Sequence, residues 1–313
     1  ALKAVINRHE ILRTVFKTAE TKEVRQYIIS PEDFVFNLSY FDLRNSSNKE
    51  EKVKDYINED SYQPFDLENG PLLRASIFQL NSNSYVFYYN LHHIISDGWS
   101  MNILSQDVLS FYNGYESGTY KEIEPLPIQY KEYANWQLEQ LNTENSLISK
   151  EYWANQLSGD LPRLNLPSEK IRPATRSNGG YSYRAYFSKT LTSRIKNFSK
   201  EKGGSLFMGI VAVWNVLFHK YSSEQDIIIG TPTAGRAHAD LLNQIGFYIN
   251  TIPLRNKVVP EMTFRELFEQ VKQNTLESYN HQMYPLDRII EGLNIQRDGG
   301  RNAIFDVLVA LQN

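Results

Sequence analysis

The chain has 313 residues, enough for about two globular units, which excludes a single small module. Its 33 Lys and Arg against 36 Asp and Glu give a formal net charge of -3, so no bulk positive charge favours nucleic acid or an anionic membrane. Cysteine is absent, which excludes disulfides, thiolate metal sites and a cysteine acyl-enzyme. The start of the chain lacks a signal-peptide pattern and no apolar run reaches ~18 residues, so we expect a cytoplasmic protein that begins inside a domain.

The first half of the chain mixes strand and helix patterns. Period-2 alternation and runs of aromatic and β-branched residues indicate strands, and charge patterning indicates exposed helices. The predicted strands are 13–18, 24–30, 33–43, 72–80 and 84–92, the last two forming a hairpin. The predicted helices are 47–62, about 98–112, 128–141 and 149–157.

Residues 158–180 contain three prolines and repeated turn residues, which predict an interlobe linker. It separates an N-terminal lobe, 1–157, from a C-terminal lobe, 181–313. In that second lobe the predicted strands are 181–191, 226–232, 246–255 and 303–312, and the predicted helices are 192–202, 205–221 and 264–280. Both lobes mix strands and helices in comparable amounts, which indicates an α/β (α+β two-layer) fold.

Residues 91–100, LHHIISDGWS, lie directly after a predicted strand and before a predicted helix, where reactive groups are often found. If the strand continues, His92 and His93 face opposite sides, which argues against a two-histidine metal site. Asp97 lies at the predicted helix N-cap and Gly98 in the first turn, where unpartnered N–H groups can face a developing negative charge. On these residues alone, the alternative is one core histidine, one surface histidine and an ordinary helix cap.

Six short strings, in the same order, resemble the condensation domains of nonribosomal peptide synthetases, which belong to the acyltransferase superfamily that includes chloramphenicol acetyltransferase. HHIISDG resembles the HHxxxDG signature of that family. The other five strings are RHEILRTVF (8–16), YKEYANW (130–136), IGFYINTIPLR (245–255), HQMYPLD (281–287) and RDGGRNAIF (297–305). The family's opening strand and helix and its closing strands are missing, so we expect a domain truncated at both ends, with an incomplete C-terminal lobe.

The resemblance implies two chloramphenicol-acetyltransferase-like lobes that form a V with a tunnel between them. It implies an acyltransferase that joins a donor acyl or peptidyl thioester to the amine of an acceptor aminoacyl thioester. The 4′-phosphopantetheine arms would belong to upstream and downstream peptidyl carrier proteins, so the domain itself is expected to bind no cofactor and no metal. With an adjacent adenylation domain, these carriers are the expected partners of a monomeric part of a larger multidomain chain.

The resemblance also implies residue roles. His93 is expected to orient the amine or accept its proton, and Gly98 to offer a backbone N–H near the oxyanion. Asp97 is expected to pair with Arg236, the alternative being that Asp97 only caps its helix. Asn250 is expected to line the tunnel or to form a hydrogen bond at a strand edge. The remaining expected site residues are Arg8, Arg13 and His92, which are structural, and Trp99 and Tyr248, which line the tunnel.

Two other functions remain open at this point. An epimerisation domain shares HHxxxDG but abstracts a proton from the α-carbon of a tethered peptide, and the strings IGFYINTIPLR and RDGGRNAIF favour condensation over it. A non-catalytic docking module would share the fold and recruit partners, and the intact His93, Asp97 and Gly98 argue against it.

Overall fold

The computed structural model describes residues 1–118, 125–168, 173–175, 179–293 and 299–312. Two compact units are present. Unit 1 comprises Ala1–Leu138 and Arg236–Tyr248, and unit 2 comprises Glu139–Gly235 and Ile249–Asn313. The segment Arg236–Tyr248 therefore packs in unit 1 although it lies far along the sequence. The lobe boundaries at 157 and 181 stay a prediction.

Some predicted features lie partly outside the described residues. In the linker 158–180, these are residues 169–172 and 176–178, and in the string RDGGRNAIF they are residues 297 and 298. The described part of the linker contains neither helix nor strand.

Unit 1 contains a two-stranded and a three-stranded sheet with helices around them. Its strands are β1 Thr14–Thr18, β2 Val24–Ile28, β3 Leu38–Asp42, β4 Leu73–Asn81 and β5 Ser84–Leu91. Its helices are α1 Leu2–Arg8, α2 Lys49–Tyr62, α3 Gly98–Glu116 and most of α4 Tyr130–Gln140. β1 and β2 are antiparallel; in the second sheet, of order β3-β4-β5, β3 runs parallel and β5 antiparallel to β4.

Packing on both faces of the three-stranded sheet holds β5 in place. On one face, the rings of Phe41, Tyr56 and Phe78 lie with centroids 5.0 to 5.1 Å apart and join β3, β4 and α2. Leu73 of β4 belongs to a fully buried cluster with Leu104 of α3. Burial of such side chains stabilises the fold by about 1.5 to 3 kcal/mol each. Because β5 pairs with β4 and Leu104 lies in α3, this packing supports both the strand that precedes the HHIISDG string and the helix that follows it.

Unit 2 is built around a second three-stranded sheet. Its strands are β6 Asp226–Thr233, β7 Asn250–Lys257 and β8 Val307–Leu308, in the order β7-β6-β8, with β7 antiparallel and β8 parallel to β6. Its helices are α5 Glu144–Gln156, α6 Lys189–Glu201, α7 Leu206–Ser222, α8 Phe264–Asn280 and α9 Leu286–Gly292. Ile229 of β6, Leu254 of β7 and Phe268 of α8 are fully buried in one cluster.

The prediction of a strand over 181–191 is wrong. Residues 179–188 form neither helix nor strand, Tyr181 and Tyr183 are almost fully exposed, and α6 begins at Lys189 with Ser188 as its N-cap. An alternating pattern makes a strand only if a neighbouring strand accepts and donates its backbone hydrogen bonds, and none of the described residues does so here.

Other differences concern element bounds. The strand predicted over 33–43 is limited to β3, the strand predicted over 246–255 begins at Asn250, and the last predicted strand is reduced to Val307–Leu308. Helices α1 and α9 were not predicted. Of the helices within the described ranges, none is both long and apolar enough to cross a membrane.

Candidate active site

The HHIISDG string forms a tight connection between β5 and α3. β5 ends at Leu91, a short 3₁₀ helix spans His93–Ile95, and α3 begins at Gly98. The strand therefore does not continue through the two histidines, so the argument from strand alternation, which depended on that continuation, does not apply here. The rings nevertheless contact different residues: the His92 ring lies 5.9 Å from Phe65, and the His93 ring lies 5.2 Å from Phe247.

The two histidines differ in their hydrogen bonds. His92 Nδ1 accepts the backbone N–H of Ile94 at 3.0 Å, so this half-buried ring caps the 3₁₀ helix. Burial, followed by the nearby His93, lowers the pKa of His92 below its ordinary value. His93 is exposed, and its ring nitrogens have no hydrogen-bond partner among the described residues. Both ring nitrogens of His93 are therefore free of partners within the described residues, whereas Nδ1 of His92 is engaged.

Asp97 is engaged on both carboxylate oxygens. Oδ1 accepts the Ser100 backbone N–H at 2.8 Å and the Ser100 hydroxyl at 2.7 Å, which caps α3. Arg236 Nη2 lies 3.1 Å from Oδ1, and the Tyr248 N–H donates to Oδ2 at 3.1 Å. The two expectations for Asp97, a helix cap and an arginine pair, both occur. A carboxylate that is 5% exposed and accepts all these bonds has no capacity left to orient His93.

Arg236 holds its own segment together as well as pairing with Asp97. Nη1 donates to the carbonyl oxygens of Leu241 and Gln244, the latter at 2.7 Å. Its guanidinium carbon lies 4.1 Å from the centroid of the Tyr248 ring, a cation–π contact. Tyr248 is only 2% exposed, so the prediction that it lines a substrate tunnel is wrong: its ring is buried against Arg236. Burial raises the pKa of Tyr248, so this phenol stays neutral.

Trp99 and Asn250, the other two residues expected to contact substrate, have different surroundings. Trp99 is 45% exposed, and its indole Nε1 donates to the Leu242 carbonyl at 2.9 Å. Asn250 lies in β7 of unit 2, where its amide nitrogen donates to the carbonyls of Gln282 and Tyr284 at 2.7 and 2.9 Å. Asn250 thus holds the loop before α9, as a hydrogen bonder at the end of a strand would. Tunnel lining stays a prediction for both residues.

The two arginines expected to be structural, Arg8 and Arg13, contact different parts of unit 1. Arg8 Nε donates to Asp107 Oδ2 at 3.2 Å and so joins α1 to α3. Arg13 donates to the carbonyl of Ile29, next to β2, and lies 3.5 Å from Glu10. The structural role expected for both arginines stays a prediction.

His9, which was not among the expected site residues, lies between α1 and α3 and is 1% exposed. Its Nε2 lies 2.7 Å from Asp107 Oδ2, and its Nδ1 accepts the Ile245 N–H at 3.4 Å, which makes Nε2 the protonated nitrogen. Burial lowers the pKa of His9, and the hydrogen bond to Asp107 opposes the shift. The sequence contains one indication that His9 is structurally important, because it lies next to Arg8 in RHEILRTVF, one of the six strings that resemble the family.

Gly98 lies open at the first turn of α3. A Cβ added there would have no heavy atom within 4 Å, and the residue is exposed. The first N–H groups of a helix have no acceptor inside the helix, and the helix dipole favours negative charge there. Gly98 therefore presents a backbone donor in open space five residues after His93. Across the described ranges, no three His, Asp or Glu side chains come together in a way that could hold a metal ion.

Comparisons with known proteins agree with the strings in the sequence. The family model "Condensation domain" matches residues 1–313. Gramicidin S synthase 2 of Aneurinibacillus migulanus is 39% identical over 313 residues, which is 100% of this chain and 7% of that protein. The X-domain from teicoplanin biosynthesis is similar with a TM-score of 0.88 and 25% identity, over 98% of this chain and 68% of that chain. The first condensation domain of the calcium-dependent antibiotic synthetase shares the fold, with a TM-score of 0.74 and 17% identity over 99% of this chain and 70% of that chain.

Proposed function

Because this chain belongs to the condensation domain family of nonribosomal peptide synthetases, we propose that it forms an amide bond between two carrier-bound thioesters. The acceptor amine attacks the carbonyl carbon of the donor thioester. A C–N bond forms, the C–S bond breaks, and the donor thiol leaves with a proton. The observation that carries the proposal is the contrast at the motif: Asp97 is fully engaged, whereas His93 is exposed with unpartnered ring nitrogens.

His93 is proposed to act on the amine. Attack requires a neutral amine aligned with the carbonyl, and the adduct must lose a proton. The unprotonated nitrogen of an imidazole can accept a hydrogen bond from the amine, or its proton. Because no described group bonds to the His93 ring nitrogens, the nitrogen without a hydrogen stays open to this work.

Gly98 is proposed to stabilise the tetrahedral adduct. Its backbone N–H lies at the positive end of a helix of 19 residues, where a developing oxyanion is favoured. The open space around its Cα lets a substrate approach the backbone closely, which a side chain would hinder.

The partners are proposed from the family. This chain spans 7% of the length of gramicidin S synthase 2. Carrier proteins would supply both thioesters and their 4′-phosphopantetheine arms. An adenylation domain would supply the activated amino acid. The expected cytoplasmic location stays a prediction.

Incubation with two loaded carrier proteins tests the proposal. The donor carrier is loaded with an acyl or aminoacyl group, the acceptor carrier with an amino acid, and single-turnover products are analysed by mass spectrometry and chiral chromatography. A dipeptidyl product on the acceptor is expected. An inverted stereocentre without a new amide would indicate epimerisation, and binding of both carriers without turnover would indicate a docking module.

Two variants in the same assay separate the histidines. His93→Ala is expected to slow amide formation by ~10²- to 10⁴-fold if the ring accepts the proton, and less if it only aligns the amine. His92→Ala is expected mainly to lower stability, because its ring caps the 3₁₀ helix and packs on Phe65. Full activity of a folded His93→Ala protein would contradict the assignment.

A further inference from the structure

The backbone of Gln244–Tyr248, here called the anchored turn, is held by side chains from other parts of unit 1. The Ile245 N–H donates to His9 Nδ1 at 3.4 Å, and the Gly246 N–H donates to the Ser100 hydroxyl at 3.1 Å. The Tyr248 N–H donates to Asp97, as described above. These acceptors lie more than a hundred residues away in sequence, so only the folded chain brings them to the turn.

The carbonyl groups of the anchored turn are bonded as well. Gln244 O accepts from Arg236 at 2.7 Å, and Phe247 O accepts from the Tyr130 hydroxyl at 2.9 Å. Gly246 O lies 2.9 Å from the Ser100 hydroxyl oxygen, whose single hydrogen is shared between this carbonyl and Asp97 Oδ1. Tyr130 also packs where a Cβ on Gly246 would lie, 2.3 Å from its Cδ2. The backbone on both sides of Phe247 therefore has little freedom to move.

Phe247 is the residue of the anchored turn that faces out. It is 40% exposed, whereas Ile245 and Tyr248 are 1% and 2% exposed. Its ring lies against the His93 ring at a centroid distance of 5.2 Å and an interplanar angle of 77°, an edge-to-face contact. Such contacts prefer this geometry because the edge of one ring is positive and the face of the other is negative.

We propose that Phe247 is a positioning residue that sets the orientation of the His93 imidazole, with the anchored turn as its rigid support. The inference rests on the proposed function of His93. No hydrogen bond from the described residues fixes the imidazole, so its rotamer depends on the packing of its faces and edges. A catalytic group that drifts by about 1 Å can lose much of its rate advantage.

The ring contact is first tested without any activity measurement. At a centroid distance of 5.2 Å, the ring current of Phe247 should shift the Cδ2–H and Cε1–H NMR signals of His93. These signals are assigned by their loss in His93→Ala. We expect Phe247→Ala to move these signals. The matched control is Phe87→Ala, which removes a ring that is 38% exposed and packs on Tyr89 at 5.5 Å, away from His93; these signals should stay in place.

The positioning role is then tested by single-turnover amide formation from loaded carriers. Phe247→Ala is expected to slow turnover about 3- to 10-fold, the range of one aromatic pair, without a change in carrier affinity or melting temperature. Phe247→Tyr should restore the rate because it keeps the ring, and Phe87→Ala should leave the rate unchanged. In the His93→Ala background, Phe247→Ala should have no further effect, because the residue acts through His93.

The outcomes distinguish this inference from the proposed function. Unmoved His93 signals in Phe247→Ala, or an equal loss of rate in the presence and absence of His93, would overturn the positioning role. If the unaltered protein forms no amide, the proposed function fails, and the NMR signals alone decide whether Phe247 orients His93.

Discussion

At the scale of single residues, His93 and Asp97 stand four positions apart in opposite environments. His93 is exposed and its ring nitrogens accept no bond from the described residues, whereas Asp97 is buried and accepts from Ser100, Arg236 and Tyr248. The difference follows from the fold of the connection, which turns one side chain to solvent and the other toward the start of α3. This contrast supports the proposal that His93 takes part in the chemistry and that Asp97 is structural.

The pairing of Asp97 with Arg236 predicts a loss of stability rather than a direct loss of chemistry. Asp97→Ala leaves a buried guanidinium without its carboxylate, which typically costs ~3 to 5 kcal/mol of unfolding free energy. Urea denaturation should show this loss. Arg236→Ala should behave alike, and the double variant should lose less than the sum of the two.

A surface ion pair provides the control for this prediction. Asp42 and Arg44 lie 2.7 Å apart with side chains 39% and 50% exposed, so Asp42→Ala should be much less destabilising than Asp97→Ala. Equal losses for the two variants, or strictly additive losses for Asp97→Ala and Arg236→Ala, would argue against a buried, coupled pair.

The buried His9 predicts a pH dependence of stability. Its pKa is lowered below 6.5 in the folded protein, so the unfolded chain binds more protons as the pH falls through that value. The unfolding free energy should therefore decrease on acidification below about pH 6.5, down to the folded pKa. The melting temperature should be lower at about pH 5.5 than at about pH 8, and His9→Asn should reduce this difference.

The matched control for His9 is His238→Asn. His238 is 72% exposed, so its removal should leave the difference in melting temperature unchanged. His92 and His281 also have lowered pKa values and would retain part of the pH dependence in His9→Asn. The same pH dependence with and without His9 would contradict its role.

At the scale of elements, the site depends on two connections: the β5–α3 connection and the anchored turn. The first was predicted from sequence because its strand, N-cap and helix carry local signals. The anchored turn was predicted as the start of a strand over 246–255, but β7 begins only at Asn250. Hydrogen bonds to Asp97, Ser100 and His9 hold its backbone outside any sheet.

Substitution of glycine by alanine is expected to affect stability differently in the two connections, at Gly98 in the first and at Gly246 in the second. Gly98→Ala meets no atom within 4 Å and should leave stability unchanged or raised by up to about 1 kcal/mol, while turnover falls because substrate approach is hindered. Gly246→Ala places a Cβ 2.3 Å from Tyr130 and 2.7 Å from Tyr248 and should cost about 1 to 3 kcal/mol.

Urea denaturation and single-turnover assays of the two glycine variants separate these effects. A destabilised Gly98→Ala protein, or a fully stable Gly246→Ala protein, would contradict the geometry of the corresponding connection.

At the scale of the whole molecule, the predicted family and the chloramphenicol-acetyltransferase-like fold are confirmed. The family model covers residues 1–313, and the fold likeness to a condensation domain extends over 99% of the chain. This prediction rested on six short strings that resemble the family's motifs in the same order. Matches spread along a whole chain are far more specific than one HH pair.

The composition and the site predict chemistry without a metal. Cysteine is absent, and the described ranges bring together no metal-binding group of three His, Asp or Glu. The protein should therefore copurify with no stoichiometric zinc, and amide formation should be insensitive to a chelator. Elemental analysis and turnover with and without chelator test this; activity that is lost to the chelator and restored by zinc would contradict it.

The sequence by itself determined the family, the position of His93 and Gly98 between a strand and a helix, and most helices. These features depend on short strings and on periodicity within one element, and both can be recognised in the sequence without knowledge of long-range contacts. The prediction of a strand over 181–191 was wrong because the alternation of apolar and polar residues does not show whether a partner strand is present.

Only the tertiary structure decided what surrounds the candidate site. It placed the Tyr248 ring under Arg236, joined His9 to Ile245, and set Phe247 against His93. These contacts join residues that are distant in sequence or depend on the direction of a single side chain, and neither leaves a periodic signal in the chain. Their geometry follows from the packing of α3 and the anchored turn in one core, in which Leu104 and Ile245 are both buried.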